Sequence, residues 1–238
     1  MLTGQTLQAK ELVVISDLDE TLRMANAENL VKAAGKLLIG VKPYEGMRAI
    51  FNEIKANNPG AKFYYLSNSY NFLYNADKWT AKHGFPTGKS FQRRFKKDKS
   101  ETFKPRKLKE IVAAHPDASF LLFGDNVERD PQFYRELLND SQITDARIFI
   151  RDARLVFTKK EDMTYFQTED QITDDLNMSA ETTARVRHLA FNKLVPQFLL
   201  TNLKKRLIKQ CKTAIGSCEQ SAKRRVLEVI DLIKPTED

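Results

Sequence analysis

Hydrophobic residues in this chain occur in short continuous runs, separated by longer stretches in which apolar residues recur with a helical period. A short Val, Ile, Leu or Phe run bounded by polar residues is typical of a strand buried in a parallel sheet. Such runs predict strands at residues 12–16, 63–67, 119–124 and 146–151. The stretches between them predict helices at 46–56, 70–83, 106–114 and 131–139. This alternation predicts an α/β fold with a central parallel sheet and right-handed crossovers.

The pattern changes in two places. A short helical stretch at about 27–38 follows the first strand, and after residue 154 an acidic segment precedes two predicted helices, 180–212 and 219–234. The sequence therefore predicts a core domain over 1–154, with a small insert at about 23–45, and a C-terminal helical extension over 155–238. We expect this extension to pack on the core, although the basic amphipathic face of its first helix also fits a membrane surface.

The first predicted strand leads into two acidic residues, Asp17 and Asp19. Open α/β sheets bind ligands beyond the carboxyl ends of their strands. Carboxylates at i and i+2 can divide the work of phosphoryl transfer: one attacks phosphorus and binds a divalent cation, and the other handles the proton. An Asp after a strand also commonly begins a turn or caps a helix, and this pair alone favours neither interpretation.

Two later predicted strands also lead into polar residues. Ser67 follows the second, where its hydroxyl could donate to a phosphate oxygen or cap the next helix. Asp125 follows the third and could complete an oxygen-ligand site for Mg²⁺. Asp130 precedes a proline, which fits a helix N-cap as well as it fits a residue that supports the metal ligands.

Between these elements lies Lys104, which could place a point charge beside both a phosphate and the Asp17 carboxylate, although most lysines in basic stretches are solvated. In this order, four features of the chain resemble the motifs of the haloacid dehalogenase (HAD) superfamily of phosphohydrolases. They are Asp17 to Thr21, Ser67, Lys104 and Gly124 to Asp130.

A narrower resemblance, over about residues 11–153, is to the catalytic domain of the actin-patch phosphatidate phosphatase family. The lysine of that family lies twelve residues before the Pro of a Phe-Pro pair, and Lys104 and Pro116 keep this spacing. The chain has Phe103, His115 and Asn126 where the family usually has His, Phe and Ser. Other matching segments are 42–47, 65–69, 82–86, 130–134 and 148–152.

The resemblance implies a HAD-like Rossmannoid three-layer sandwich with a small cap formed by the insert. It also implies that Asp17 attacks phosphorus to form an aspartyl-phosphate, while Asp19 protonates the leaving alkoxide and then activates water. Mg²⁺ would be held by Asp17, the backbone carbonyl of Asp19, and Asp125, and Asp130 would support these ligands. The phosphoryl oxygens would be bound by Ser67, Asn68 and Lys104.

The net charge is +8, and the chain carries a basic segment at 89–99 in which Phe91 and Phe95 are interleaved with lysines and arginines. Beside a phosphatase site, such a segment favours an anionic lipid at a membrane surface as partner, with nucleic acid less favoured. A solvated loop explains the segment equally well.

No apolar run approaches the roughly 20 residues of a membrane span, and residues 1–10 lack the apolar region of a signal peptide. We expect a cytoplasmic or peripheral membrane location. Export stays open, because a signal that precedes Met1 would not be seen. The sequence does not indicate an oligomeric state.

The features together predict an Mg²⁺-dependent phosphatidate phosphatase that converts phosphatidate to diacylglycerol and phosphate. One alternative keeps the HAD chemistry but takes nucleic-acid ends or phosphoproteins as substrate. Another is a module that binds lipids or partners without catalysis.

Overall fold

A computed structural model describes residues 10–24, 41–140, 143, 145–153 and 162–194, with the backbone alone at 191–194. The helical stretch predicted at 27–38 lies outside these residues. So does the predicted C-terminal region beyond 194, including the basic amphipathic face.

The core of the fold is a six-stranded sheet in which every adjacent pair of strands is parallel. The strand order is β3-β2-β1-β4-β5-β6, so β1 and β4 lie at the centre. The predicted α/β class with a central parallel sheet is confirmed. The strands are β1 (Leu12–Asp17), β2 (Lys62–Tyr70), β3 (Lys89–Arg93), β4 (Ser119–Asp125), β5 (Ala146–Arg151) and β6 (Thr164–Phe166).

Helices connect most of the strands, as the alternating pattern predicts. They are α1 (Glu45–Asn57), α2 (Ala76–Lys82), α3 (Ser100–Ala114), α4 (Asp130–Asp140) and α5 (Ala180–Leu194), with a short 3₁₀ helix at Glu169–Ile172. Since β1 is buried almost throughout, its side chains alternate between two apolar layers. Val13 and Ile15 pack with Leu108 of α3 and Phe133 of α4.

Helix α1 also packs on the sheet, and its Phe51 forms an aromatic cluster with Phe63 and Phe123. The Phe51 ring lies 5.9 Å from that of Phe63 on β2 and 5.0 Å from that of Phe123 on β4. Helices therefore pack on the sheet through two apolar clusters, as in the three-layer arrangement that the family resemblance implies.

Three elements differ from the sequence prediction. The polar residues after 67 extend β2 to Tyr70, and α2 starts only at Ala76, where the Asn75 side chain accepts a hydrogen bond from the Lys78 N–H. The basic segment contains β3, whose Phe91 packs on Tyr64 of β2. Helix α3 starts at Ser100, so Lys104 lies within the helix and not before it.

The described residues divide into two compact units. The first contains all six strands, and its sheet extends past residue 154, where the sequence predicts the end of the core domain. The second contains the first residues of α1, Glu45–Ile50, together with the 3₁₀ helix and α5. Among the helices described, none combines the length and apolar character that crossing a bilayer requires.

Gly124, near the end of β4, lies against the start of α4. A Cβ at this position would lie 2.7 Å from the Cβ of Asp130 and 3.0 Å from the Tyr134 ring. We expect Gly124→Ala to lower the free energy of unfolding by about 1–3 kcal/mol, because the tightly packed α4 must shift to admit a methyl group. Urea denaturation measures this change.

Gly60 provides the matched control, because a Cβ there would meet nothing within 4 Å. We expect Gly60→Ala to change stability by less than about 0.5 kcal/mol. Equal effects of the two substitutions would contradict the close packing at Gly124.

Candidate active site

Parallel strands place their carboxyl ends on one edge of the sheet, and here three polar residues meet at that edge. Asp17 is the last residue of β1, Asp125 is the last residue of β4, and Ser67 lies beside them on β2. All three are at least 98% buried. The structure thus brings together residues that the sequence separates by more than a hundred positions.

Lys104 joins these strands to α3 and α4. Its Nζ donates hydrogen bonds to Asp130 Oδ1 at 2.7 Å and to Glu128 Oε2 at 2.9 Å. It also lies 2.7 Å from Asp17 Oδ1, as an ion pair outside hydrogen-bond geometry. Only 2% of its side chain is exposed, so the ammonium group interacts with the carboxylates and is not solvated.

The β4 carboxylate is oriented by the loop that follows it. Asp125 Oδ1 accepts hydrogen bonds from the backbone N–H groups of Val127, at 2.6 Å, and Glu128, at 3.2 Å. Its Oδ2 accepts one from the Thr21 hydroxyl at 3.3 Å. Asp130 begins α4, and its two oxygens accept hydrogen bonds from Lys104 and from the Asp125 N–H.

The site is short of positive charge. Four carboxylates, those of Asp17, Asp125, Glu128 and Asp130, surround the single ammonium of Lys104. Burial raises the pKa of Asp17 well above its ordinary value, and the neighbouring carboxylates of Asp130, Asp125 and Glu128 add to this rise. Burial, followed by repulsion from Asp130, raises the pKa of Asp125 to about 8.

The pKa of Lys104 also reflects the excess of carboxylates over cations in the site. Burial acts to lower its pKa, but the carboxylates of Asp130, Asp17 and Glu128 hold that pKa well above its ordinary value. Lys104 is therefore charged in this site, and it compensates only part of the negative charge.

Asp17, Glu128 and Asp130 form a group that could hold a metal ion, because one oxygen of each lies within 4.8 Å of the others. Both oxygens of Asp17 are buried and lack a hydrogen-bond partner among the described residues. Buried polar atoms are rarely left without a partner, so this carboxylate has oxygens available to coordinate a metal ion or to attack a substrate. Asp125, which the family resemblance implies as a ligand, lies outside this group but interacts electrostatically with Asp17.

A tight turn after β1 orients Asp19. The backbone N–H groups of Leu22 and Arg23 both donate to the carbonyl of Leu18, and Glu20 takes a left-handed φ of 61°. The turn directs Asp19 toward β2, where Asp19 Oδ2 accepts hydrogen bonds from Ser67 at 2.7 Å and from Ser69 at 3.0 Å. Ser67 therefore donates to Asp19 and does not cap a helix.

Arg23 lies on the other side of Asp19, with its Nε 3.4 Å from Asp19 Oδ1. The side chain is fully buried, and its guanidinium carbon is 3.9 Å from the centroid of the Tyr74 ring. Tyr74 in turn donates a hydrogen bond to Ser67. Two restraints therefore fix the Asp19 carboxylate, one through hydroxyl groups and one through a buried cation.

The sequence did not point to Arg23, Ser69 or Glu128 as site residues. Glu128 contacts Lys104 and also accepts a hydrogen bond from the Asn68 amide at 2.7 Å. Its only sequence signal is an acidic residue three positions after Asp125, and that spacing is common in loops. Arg23 follows Asp19 by four positions, the separation that brings the two side chains together across the turn.

Comparison with solved structures finds a chain described as "Structure of the Pnkp1/Rnl/Hen1 RNA repair complex", with 19% sequence identity and a TM-score of 0.42. The match covers 58% of this chain and 45% of that chain, and similarity at this level indicates nothing about function. Comparison with curated proteins finds no match.

The comparison with protein families identifies a match that spans all the residues of the site described above. Residues 12–152, more than half of the chain, match the family described as "Phosphatidate phosphatase APP1, catalytic domain". The chain belongs to this family of phosphatidate phosphatase catalytic domains.

Proposed function

We propose that the protein is an Mg²⁺-dependent phosphatidate phosphatase that works through an aspartyl-phosphate on Asp17. The observation that carries this proposal is the buried Asp17 carboxylate, whose oxygens have no hydrogen-bond partner among the described residues and which lies 2.7 Å from Lys104. Membership of the phosphatidate phosphatase family supports phosphatidate as the substrate.

In the first half of the reaction, an Asp17 oxygen attacks phosphorus, and the bond between phosphorus and the glycerol oxygen breaks. Asp19 donates its proton to that oxygen, so that diacylglycerol leaves as a neutral alcohol. The contacts of Asp19 with Ser67, Ser69 and Arg23 support this role, because they fix the direction of the carboxyl group.

In the second half, Asp19 is a carboxylate and takes a proton from water. The resulting hydroxide attacks phosphorus, the bond between phosphorus and the Asp17 oxygen breaks, and inorganic phosphate is released. Ser67, Asn68 and Lys104 would bind the phosphoryl oxygens, which carry the charge that develops during transfer. For this, Ser67 would turn its hydroxyl proton away from Asp19, which Ser69 still contacts, and Lys104 would exchange part of its contact with Glu128 and Asp130 for contact with the substrate.

The charges of the site fit a divalent cation. Four carboxylates, three of them buried, surround one ammonium and leave an excess of negative charge, and oxygen donors of this kind are those that Mg²⁺ prefers. We propose that Asp17, Asp125 and the backbone carbonyl of Asp19 hold Mg²⁺, with Asp130 supporting them. The ion would supply charge neutralisation for the transferring phosphoryl group.

A panel of substrates tests the proposed reaction. We expect phosphate release to be fastest from vesicles that contain phosphatidate, and slower from a 5′-phosphorylated oligonucleotide or a phosphoserine peptide. Asp17→Asn should lower turnover by at least about 10⁴-fold on every substrate, because the amide is not a nucleophile. Released inorganic phosphate is the measured quantity.

Asp117→Asn is the control for this panel, since Asp117 is exposed in the turn before β4, at the opposite edge of the sheet. It should keep wild-type turnover. A preference for the oligonucleotide or the peptide would replace phosphatidate as the substrate. Turnover retained in Asp17→Asn would contradict the mechanism, and vesicle binding without turnover by the wild type would indicate a binding module.

The two roles of Asp19 can be separated with p-nitrophenyl phosphate, whose leaving group needs little help from an acid. We expect Asp19→Asn to release one nitrophenolate rapidly per enzyme and then to slow by about 10²–10⁴-fold, because the activated water is missing. Stopped-flow absorbance measures the burst. Equal slowing of the first and later turnovers would contradict Asp19 as the base for the second half.

Removal of the metal gives a further test. We expect chelation of divalent cations to abolish activity and added Mg²⁺ to restore it. Asp125→Asn should raise the Mg²⁺ concentration needed for half-maximal activity by at least about tenfold, because a ligand loses its charge. Asp117→Asn should leave this concentration unchanged, and an unaltered requirement in Asp125→Asn would rule out Asp125 as a ligand.

A further inference from the structure

Three aromatic rings cluster at the surface beyond the ends of β2 and β3. Tyr70, Phe72 and Phe95 form what we call the aromatic surface, with ring centroids 5.3 to 5.7 Å apart. Phe72 is 63% exposed and Phe95 is 55% exposed, and no other large hydrophobic residue in the described part of the chain is exposed. Exposed aromatic residues that cluster in this way are typical of an interaction surface.

Basic residues contact the aromatic surface or lie next to it in the sequence. Lys96, Lys97 and Lys99 are exposed, and they form no ion pair with the residues that the structure describes. The Arg93 guanidinium lies 4.3 Å from the centroid of the Tyr70 ring, and Lys96 Nζ lies 5.7 Å from that of Phe95. The surface therefore combines exposed apolar area with positive charge, which complements an anionic interface.

This surface lies at the sheet edge that holds the catalytic carboxylates. Tyr70 ends β2 three residues after Ser67, and Arg93 ends β3 beside it. The Arg93 side chain donates a hydrogen bond to the carbonyl of Asn68, whose amide contacts Glu128. Two residues, Arg93 and Asn68, thus link the aromatic surface to Glu128, which contacts Lys104.

We infer that the aromatic surface, with Lys96 and Lys97, docks the protein on an anionic lipid bilayer. Phe72 and Phe95 insert at the boundary between headgroups and acyl chains, and the lysines bind the headgroup phosphates. The inference rests on the proposed function, because docking would bring the edge of the sheet that holds Asp17 to the plane in which a lipid phosphate lies.

The stacking geometry favours a bilayer over a nucleic acid. Single-stranded nucleic acids bind by stacking bases on free aromatic faces. Phe72 stacks on the Tyr70 ring at an interplanar angle of 11°, and Arg93 lies over the same ring. Phe95 packs edge-on against both rings at 87°. Each ring packs against the other two, and the exposed parts of Phe72 and Phe95 present apolar area outward.

Vesicle sedimentation tests the docking surface without using the catalytic site. We expect the wild type to bind phosphatidylcholine vesicles that contain phosphatidylglycerol, less tightly as salt is added, and to bind pure phosphatidylcholine weakly. Lys96→Gln with Lys97→Gln should weaken binding about 25-fold, at about fivefold for each charge. Phe72→Ser with Phe95→Ser should weaken it on the order of tenfold for each ring.

Two controls keep the test specific. Lys62→Gln with Lys82→Gln removes two exposed charges away from the aromatic surface and should leave binding unchanged within about twofold. Phe72→Leu with Phe95→Leu keeps apolar side chains and should retain most of the affinity. All variants should hydrolyse soluble p-nitrophenyl phosphate like the wild type, which shows that they fold.

The outcomes separate this inference from the proposed function. Two results would overturn the docking surface. In one, the wild type does not bind anionic vesicles; in the other, the lysine variants bind as tightly as the wild type or as the Lys62 and Lys82 control. Binding of an oligonucleotide through Phe72 and Phe95 in place of vesicles would overturn it in favour of nucleic acid. Docking as expected without hydrolysis of phosphatidate would support the surface and reject the substrate.

Discussion

The buried ammonium of Lys104 is the interaction on which the site depends. Removing a charge from water costs several kcal/mol unless partners compensate it, and Lys104 finds three carboxylates within 2.9 Å. The carboxyl groups of Asp17 and Asp130 have the converse problem, because burial and repulsion from neighbouring carboxylates raise the pKa of each. Neither set could be buried at this sheet edge alone. The lysine is thus a structural condition for burying Asp17, quite apart from any contact with a substrate.

The parallel sheet explains how distant segments meet at one edge. With β1 at the centre, its neighbours β2 and β4 place Ser67 and Asp125 on either side of Asp17. Helices α3 and α4, which both pack on this sheet, then deliver Lys104 and Asp130 to the same point. Gly124 completes the arrangement, since the absence of a side chain lets Asp130 approach the end of β4.

Much of the fold was predictable because its central strands are apolar on both faces. The apolar runs at β1, β4 and β5 fit only buried strands. The polar residues that end β1 and β4 then point to Asp17 and Asp125 as candidate site residues. The edge strand β3 was missed because a basic segment with single aromatics has no clear apolar period. The start of α2 was misplaced because Ser67 and Ser69 look like helix caps, whereas tertiary contact with Asp19 keeps them in β2. Arg23 and Glu128 give no specific sequence signal, because their contacts depend on turns whose geometry the sequence does not define.

The aromatic surface and the carboxylates around Lys104 are adjacent but chemically separate, and in the proposed enzyme this has a kinetic consequence. Among the described residues, Phe72, Phe95 and Lys96 make no hydrogen bond, ion pair or ring contact with Asp17 or Lys104, so contacts with a bilayer would be the same before and during phosphoryl transfer. Binding energy that is equal in the ground state and the transition state lowers KM without raising kcat. In the proposed enzyme, the membrane would therefore set how often a lipid phosphate reaches Asp17, while the buried charges around Lys104 would set how fast it reacts.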